Sequence, residues 1–477
     1  NSGIGQGCYK KGFMKIIIAG AGAVGTHLAE LLSKENHDII LMDEDSDKLE
    51  ALSNGNYDLL TMGVSPTGIA ALKEAGIAHA DLFVAVTPHE TCNITCCMLA
   101  HTLGAKKTVA RVDNSEYTSE ENIAMFNSMG IDSLIYPEEL AAQEIVDGLK
   151  LSWARQYWEV HDGALCLLGI KLREEASELY GKPLRELCGA STPYHIVAIK
   201  RGDETLIPNG NSVLQLGDIA YFMTSKRHIS LIRHVVGKEG YADVRKVMVM
   251  GGGHIAVHVA HVKPDNIQMK IIEQSEQRCR QLIEILNTND IMVIQGDARD
   301  TQLLIEEGIH DVQGFAALTP DTENNILACL AAKRLGVRKT VAQVENIAYV
   351  DMAEKLDIGT IVNKKMTAAS HIYRMLMDTD IANIRRLTIA NADVAEFVAS
   401  ENSPITQKPI REFNFPEGIT MGGLIRDNVG MSIGGNTQIM PGDRVVVFGK
   451  SGLIYKIDSY FAAPVSAMSR IMSALRS

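Results

Sequence analysis

The sequence predicts an α/β chain built twice over, each half a doubly wound parallel-sheet domain followed by a small α+β module. Three observations predict it: short wholly apolar runs that alternate with longer amphipathic ones, a repeat of the whole pattern in the second half, and a glycine-rich turn near the start of each half. At 477 residues, 46% of them hydrophobic and 22% charged, the chain is also too long for a single growing core.

The repeat is read first, because it sets the boundaries. Lys107-Thr108-Val109-Ala110 recurs as Lys339-Thr340-Val341-Ala342, a displacement of 339 − 107 = 232. The glycine-rich stretch Gly20-Ala21-Gly22-Ala23-Val24-Gly25 answers to Gly251-Gly252-Gly253-His254-Ile255-Ala256. The connecting modules repeat as well: Gly181-Lys182-Pro183-Leu184 matches Gln407-Lys408-Pro409-Ile410, and Gly217-Asp218 matches Gly442-Asp443. The expected organisation is a first parallel-sheet domain over 14–150, a small module over 151–240, a second parallel-sheet domain over 241–380 and a second module over 381–460. Residues 1–13 read as a disordered leader or expression remnant, and 461–477 as a tail.

In the first half, runs at 15–19, 38–42, 57–61, 82–86, 108–112 and 133–136 read as strands, with helices such as 26–34 and 91–103 between them. Strands apolar throughout suit a parallel sheet covered on both faces, and the alternation implies right-handed crossovers. The second half repeats the order at 246–250, 269–272, 291–295, 315–318, 340–344 and 360–362. The modules carry strand-like runs such as 196–200, 219–223 and 445–448, with one clear helix beginning at Pro183-Leu184. Modules this small are marginal alone and would gain from dimerisation.

Composition excludes several functions. A net charge of −12 without a long basic run argues against a nucleic-acid binder. No apolar stretch approaches the ~18–20 residues needed to cross a bilayer, so a soluble chain is expected. Eight scattered cysteines without paired CxxC units fit a reducing, cytoplasmic setting.

The glycine loops carry the chemistry. Gly20-x-Gly22-x-x-Gly25 directly follows a strand and opens a helix, the context of a Rossmann nucleotide site. Gly20 permits the turn, Gly22 leaves room for a pyrophosphate, and Gly25 lets helix and strand pack closely, while the helix N-terminus favours phosphate. Asp43, 18 residues beyond Gly25, is placed to accept both ribose hydroxyls and to repel a 2′-phosphate, which points to NAD(H) or an adenosine nucleotide. The second loop keeps Gly251 and Gly253, with Ala256 for the third glycine and Glu273 for the acid. There nucleotide binding and a degenerate copy stand as alternatives.

Supporting residues are expected at the carboxyl ends of the other strands. In the first half these are Met62-Gly63, Thr87 with Asn93, and Arg111, whose guanidinium suits a phosphate. In the second they are Gly296-Asp297-Ala298, Thr319 with Asn325, and Gln343. Replacing Arg111 by Gln343 removes a charge, so the two sites should differ in preference. Thr87 and Thr319 read equally well as helix caps. His254, His258 and His261 share one helix face without a completing ligand, and no metal is expected. Cys92, Cys96 and Cys97 read as core residues, and Trp153 and Trp158 as packing anchors.

Together these residues resemble the TrkA family, whose members carry two RCK units, each a Rossmann domain followed by a small C-terminal domain. The resemblance runs from Met14 to about Tyr460 and rests on the glycine loop with Asp43, the Thr87…Asn93 and Thr319…Asn325 segments, Ala110-Arg111, and the Gly-Lys-Pro-Leu and Leu-Gly-Asp elements. It implies a cytoplasmic, non-enzymatic regulatory subunit that forms a homo-oligomeric ring beneath a membrane potassium channel or transporter of the TrkH type. It also implies binding of NAD(H) or ATP/ADP, and in some relatives cyclic di-AMP. The sequence departs from the family at His254, Ala256, Gly63-Val64-Ser65 and His89. The rival readings are an NAD-dependent oxidoreductase, for which His195 is the one candidate base in the modules, and a free-standing nucleotide sensor.

Overall fold

The computed structural model describes residues 14–33, 37–53, 57–161, 163–189, 192–202, 204–286, 288–377, 384–386, 392–450 and 453–462. The expected leader lies outside these residues, as does the tail from 463 onward.

The first sheet is parallel and consists of β1 (Lys15–Ala19), β2 (Asp38–Asp43), β3 (Leu60–Gly63), β4 (Leu82–Ala85), β5 (Thr108–Arg111) and β6 (Ser133–Ile135), in the order β3-β2-β1-β4-β5-β6. This is the doubly wound order, with its switch point between β1 and β4, where open α/β sheets bind ligands. Ile16, Ile17 and Ile18 on the central strand are fully buried, as two-sided coverage requires. β3 begins later than the apolar run at 57–61 suggested. Its register pairs Leu60 with Ile40 and Gly63 with Asp43, so hydrogen bonding to β2 sets its ends. The helix Ala23–Leu32 starts three residues earlier than the periodicity suggested, because Gly22 is its N-cap and the glycine loop itself opens the helix.

A small antiparallel sheet follows: β7 (Gln156–Val160), β8 (Leu165–Lys171), β9 (Tyr194–Arg201), β10 (Glu204–Leu206) and β11 (Ile219–Thr224), ordered β10-β9-β11-β8-β7. The expected helix is present as Leu184–Leu187, but Ile229–Val235 is a second and longer one. Its apolar side is short, with Ile232 buried, and its last turn is basic, which hid it from a periodicity reading.

The second half repeats both sheets. β12 (Lys246–Met250), β13 (Gln268–Glu273), β14 (Ile291–Gln295), β15 (Gly314–Ala317), β16 (Lys339–Gln343) and β17 (Thr360–Val362) form a parallel sheet ordered β14-β13-β12-β15-β16-β17. β18 (Ile384–Arg386), β19 (Ala392–Val398), β20 (Ile419–Arg426), β21 (Val429–Ser432) and β22 (Arg444–Lys450) form an antiparallel one ordered β18-β19-β22-β20-β21.

The chain divides into two compact units. One contains the first parallel sheet together with Asn363–Leu376, and the other contains Ala142–Val362 and the residues from Met377 onward. Within the first unit, Lys364 Nζ lies 3.0 Å from Glu138 Oε1. Within the second unit the two small sheets share one apolar core, in which Val160, Leu165, Val197 and Met223 meet Val394, Ile425, Val446 and Phe448. Each fully buried Leu, Val or Phe there contributes ~1.5–3 kcal/mol, so pairing within the chain supplies what each module lacks alone. Trp153 is buried in the core of the first module and Trp158 packs against the shared one. No helix among the described residues is long and apolar enough to cross a membrane.

Candidate functional site

Each glycine loop is shaped by the groups around it. Gly20 sits at φ +111, and a Cβ there would stand 2.9 Å from the Thr87 nitrogen. At Gly25 a Cβ would lie 1.9 Å from the Gly20 oxygen, so helix and turn touch only because Gly25 lacks a side chain. A Cβ at Gly22 would meet nothing within 4 Å. The loop therefore presents open space in front of a helix with neither a side-chain cap nor an acidic residue in its first turn. The first N–H groups of a helix have no intrahelical partner, which suits them to an anion. Ala21, Val24 and Gly25 are buried in the packing, while Ala23 is exposed on the first turn.

Asp43 closes the loop from the end of β2. Its Oδ2 accepts the Ala21 N–H at 2.6 Å and its Oδ1 accepts that of Asp45 at 2.9 Å. Gly63 lies opposite it in register. Asn93 is fully buried; its Oδ1 accepts from Thr87 N at 2.9 Å and Thr87 Oγ1 at 2.7 Å, and its Nδ2 donates to Thr87 O at 3.0 Å and Arg111 O at 2.9 Å. With its amide so engaged, Asn93 joins the ends of β4 and β5. Thr87 is not the helix cap; that position belongs to His89, whose N–H Thr87 Oγ1 accepts at 3.3 Å. Arg111 donates through Nη2 to Asp113 at 2.9 Å, and its buried Nε has no hydrogen-bond partner among the described residues.

The second loop repeats this with different side chains. Gly251 sits at φ +96, Gly253 caps the helix His254–Val262, and a Cβ at Gly253 would again meet nothing within 4 Å. Glu273 takes the part of Asp43, its Oε2 accepting the Gly252 N–H at 2.8 Å. Asn325 repeats Asn93, bonded to Thr319 and to Gln343 O at 2.8 Å. Gly251, Gly253, Glu273, Gly296, Asp297, Ala298 and Thr319 line one cavity of about 340 Å³. Ile255 and Asn325 are buried and do not line it. His254 is exposed on the first turn of its helix. No group of three or more His, Cys, Asp or Glu placed to hold a metal ion occurs among the described residues.

Sequence reasoning missed three residues here. Arg278 lines the second cavity and donates from Nε to Gly252 O at 2.8 Å. Its signal was a base five residues after the acid in both halves, Lys48 after Asp43 and Arg278 after Glu273. Arg299 forks onto Asp297, with Nη2 2.7 Å from Oδ2, and holds that carboxyl far below its ordinary range. Glu90 accepts from Asp113 N at 2.9 Å and Asn114 N at 3.0 Å, fastening the loop after β5. In the second half the hydroxyl of Thr322 accepts from Glu345 N at 3.0 Å and Asn346 N at 3.3 Å. The second copy keeps the fastening without the charge.

His195 lies in β9, its Nε2 3.4 Å from Thr420 Oγ1 on β20, and burial pushes its pKa down. It faces the neighbouring module.

The TrkA-N domain model matches residues 16–137 and 247–364, and the TrkA-C domain model matches 170–237 and 394–462. The Trk system potassium uptake protein TrkA of Haemophilus influenzae is 33% identical over 448 residues, covering 91% of this chain and 95% of that protein. The protein of the same name from Halomonas elongata is 31% identical with the same coverage. Among solved structures, the GsuK channel bound to NAD aligns with a TM-score of 0.56 at 17% identity, over 96% of this chain and 80% of that one. The GsuK RCK domain aligns with a TM-score of 0.55 at 16% identity, over 96% and 97%. At these identities the structural likeness is one of fold.

Proposed function

Because the chain belongs to the TrkA family, we propose that it is a cytoplasmic regulatory subunit that couples nucleotide binding to a potassium uptake channel or transporter of the TrkH type. The observation that carries the reading is the pair of glycine loops, each with open space before a helix N-terminus and a carboxylate at the end of the next strand. The residues fit a nucleotide. The N–H groups of the Gly22–Gly25 turn would hold phosphates with the guanidinium of Arg111 at the end of β5, and Asp43 would hold the adenosine ribose. NAD(H) is the ligand this set suits, with ATP or ADP sharing the same adenosine and phosphate groups. Asn93, Thr87 and Gly63 keep the strand ends in place around it. In the second site Gly251, Gly253 and Glu273 would do the same, with Asp297, Ala298 and Thr319 lining the cavity and Asn325 buried behind Thr319.

A ligand shifts an equilibrium only by its differential affinity for two states. Assembly into a homo-oligomeric ring sums modest preferences into the several kcal/mol that switching requires. The protein would reach the inner face of the membrane through its partner.

An oxidoreductase would need an acid or base beside the nicotinamide. His195, the base that the sequence offered, contacts the second module instead. The reading is tested by measuring potassium flux through the co-expressed membrane partner with and without NADH or ATP, for wild type and Gly22→Phe, together with the solution mass. A ring with nucleotide-dependent flux that Gly22→Phe abolishes is expected. A monomer, flux blind to nucleotide, or NADH oxidation above ~1 s⁻¹ would overturn it.

A further inference from the structure

The second unit holds a cavity of about 370 Å³ that its glycine loop does not border. It opens at the amino ends of β16 and β17, where Lys339 and Thr360 begin their strands, and is walled on the other side by the first small module. Its volume falls in the range of small-molecule sites, ~300–1,000 Å³.

The charge within it is one-sided. The carboxylate of Asp357 forms ion pairs with Arg155, with Lys171 Nζ at 3.4 Å, with Arg173 Nη2 at 2.9 Å and with Lys333 Nζ at 3.9 Å. One negative charge thus stands against four positive ones. Lys339 is buried behind them and, among the described residues, donates to two neutral oxygens, Ala154 O at 2.6 Å and Thr360 Oγ1 at 3.1 Å. The buried Lys238 and the exposed Arg338 both lie over the Tyr241 ring, at 4.8 and 4.5 Å from its centroid. Nearby acids do not restore the balance. Glu175 pairs with Lys238 at 3.3 Å, and Glu354 pairs with Lys200 at 2.5 Å.

The backbone is arranged to keep this cluster. Asp357 sits at φ +56, a conformation that L residues rarely adopt. Counting from the start of the last strand in each parallel sheet, 360 − 357 = 3 and 133 − 130 = 3, so its counterpart in the first half is Gly130, at φ +83. A charged residue thus occupies a turn position that glycine fills in the other copy. Burial and the neighbouring guanidinium of Arg155 push Lys171 and Lys333 down to about 8, and Lys339 to about 7. The cluster is therefore held against its own repulsion, and a bound anion would relieve it.

We propose that this cavity binds a small phosphorylated ligand, seated on Lys171, Arg173 and Lys333 and bridging the first small module to the second parallel sheet. Arginine forks and clustered ammonium groups match a multiply charged phosphate better than a single carboxylate. The site lies apart from the glycine loops, so it supplies a second chemical input.

The test uses the full chain carrying Gly22→Phe and Gly253→Phe, which obstruct both loops from positions where a Cβ meets nothing. This separates failure here from failure of the nucleotide reading. Calorimetry with inorganic pyrophosphate is expected to show one site per chain, weakened about ten-fold or more when Arg173→Gln or Lys171→Gln removes a charge-assisted hydrogen bond. Arg338→Gln, at an exposed position, gives a third variant whose folding is not at issue. ADP titrated in parallel distinguishes the source: tighter binding than pyrophosphate assigns the site to a nucleotide phosphate, and equal or weaker binding to an inorganic one. No binding of either probe to the loop-blocked protein, or affinity unchanged in all three variants, overturns the proposal.

Discussion

The carboxylate of Asp43 accepts the backbone N–H of Ala21 at 2.6 Å, across the turn that would receive a nucleotide. Glu273 makes the same bond to Gly252 at 2.8 Å in the second half. The acid at the end of the second strand thus shapes the glycine loop in both halves.

Replacing Asp43 by Ala is expected to weaken NADH binding by about ten-fold or more, since hydrogen bonds to a charged group contribute ~1.5–3 kcal/mol. Asp43→Asn should fall between, because an amide oxygen still accepts from Ala21. Calorimetry on both variants, with circular dichroism to confirm folding, checks the order. Wild-type affinity in a folded Asp43→Ala protein would remove Asp43 from the site.

The glycines should separate by role. Gly22→Phe is expected to abolish binding with little change in melting temperature, because its Cβ enters open space. Gly25→Ala should lower stability by ~1–3 kcal/mol or more through overpacking, since its Cβ would meet the Gly20 oxygen at 1.9 Å. Thermal melts of the two variants side by side give the comparison.

Each small module contains one arginine forked onto a buried aspartate. Arg201 Nε and Nη2 lie 2.9 and 2.8 Å from Asp218, and Arg426 Nε and Nη2 lie 2.8 and 2.6 Å from Asp443. Removing the half-buried arginine leaves a buried carboxylate without its charged partner, which typically costs ~1–3 kcal/mol. Arg201→Ala and Arg426→Ala should therefore each destabilise the chain strongly, which denaturant titration will show. Their equivalence would demonstrate that the repeated Gly-Asp element is structural.

The cation cavity predicts a pH dependence of stability. In the folded chain Lys339 is pushed down to about 7 and Lys171 and Lys333 to about 8, by burial first and then by Arg155, against 10.5 for an unperturbed lysine. Between about pH 7 and 10 the unfolded state therefore binds more protons, and this contribution makes stability rise with pH. Lys339→Met should flatten the rise in melting temperature over that window. An unchanged slope would show that Lys339 stays charged on folding.

The doubly wound sheets, the tandem organisation and the two loops are all legible in the residue order. These depend on local patterns: a strand of buried residues, a turn that requires glycine, an acid one strand away. That order also placed Thr87 and Asn93 together, although not that Asn93 turns its whole amide inward. Only the tertiary structure decided the fate of repeated residues. Lys107 and Lys339 occupy the same place in the same four-residue repeat, yet Lys107 is exposed while Lys339 is buried beneath a cluster of like charges. It likewise decided that the two small sheets share a core and that β3 begins at Leu60. The physical reason is range: hydrophobic period and turn chemistry act between residues close in the chain, whereas burial and charge balance depend on whichever distant segment folds against them.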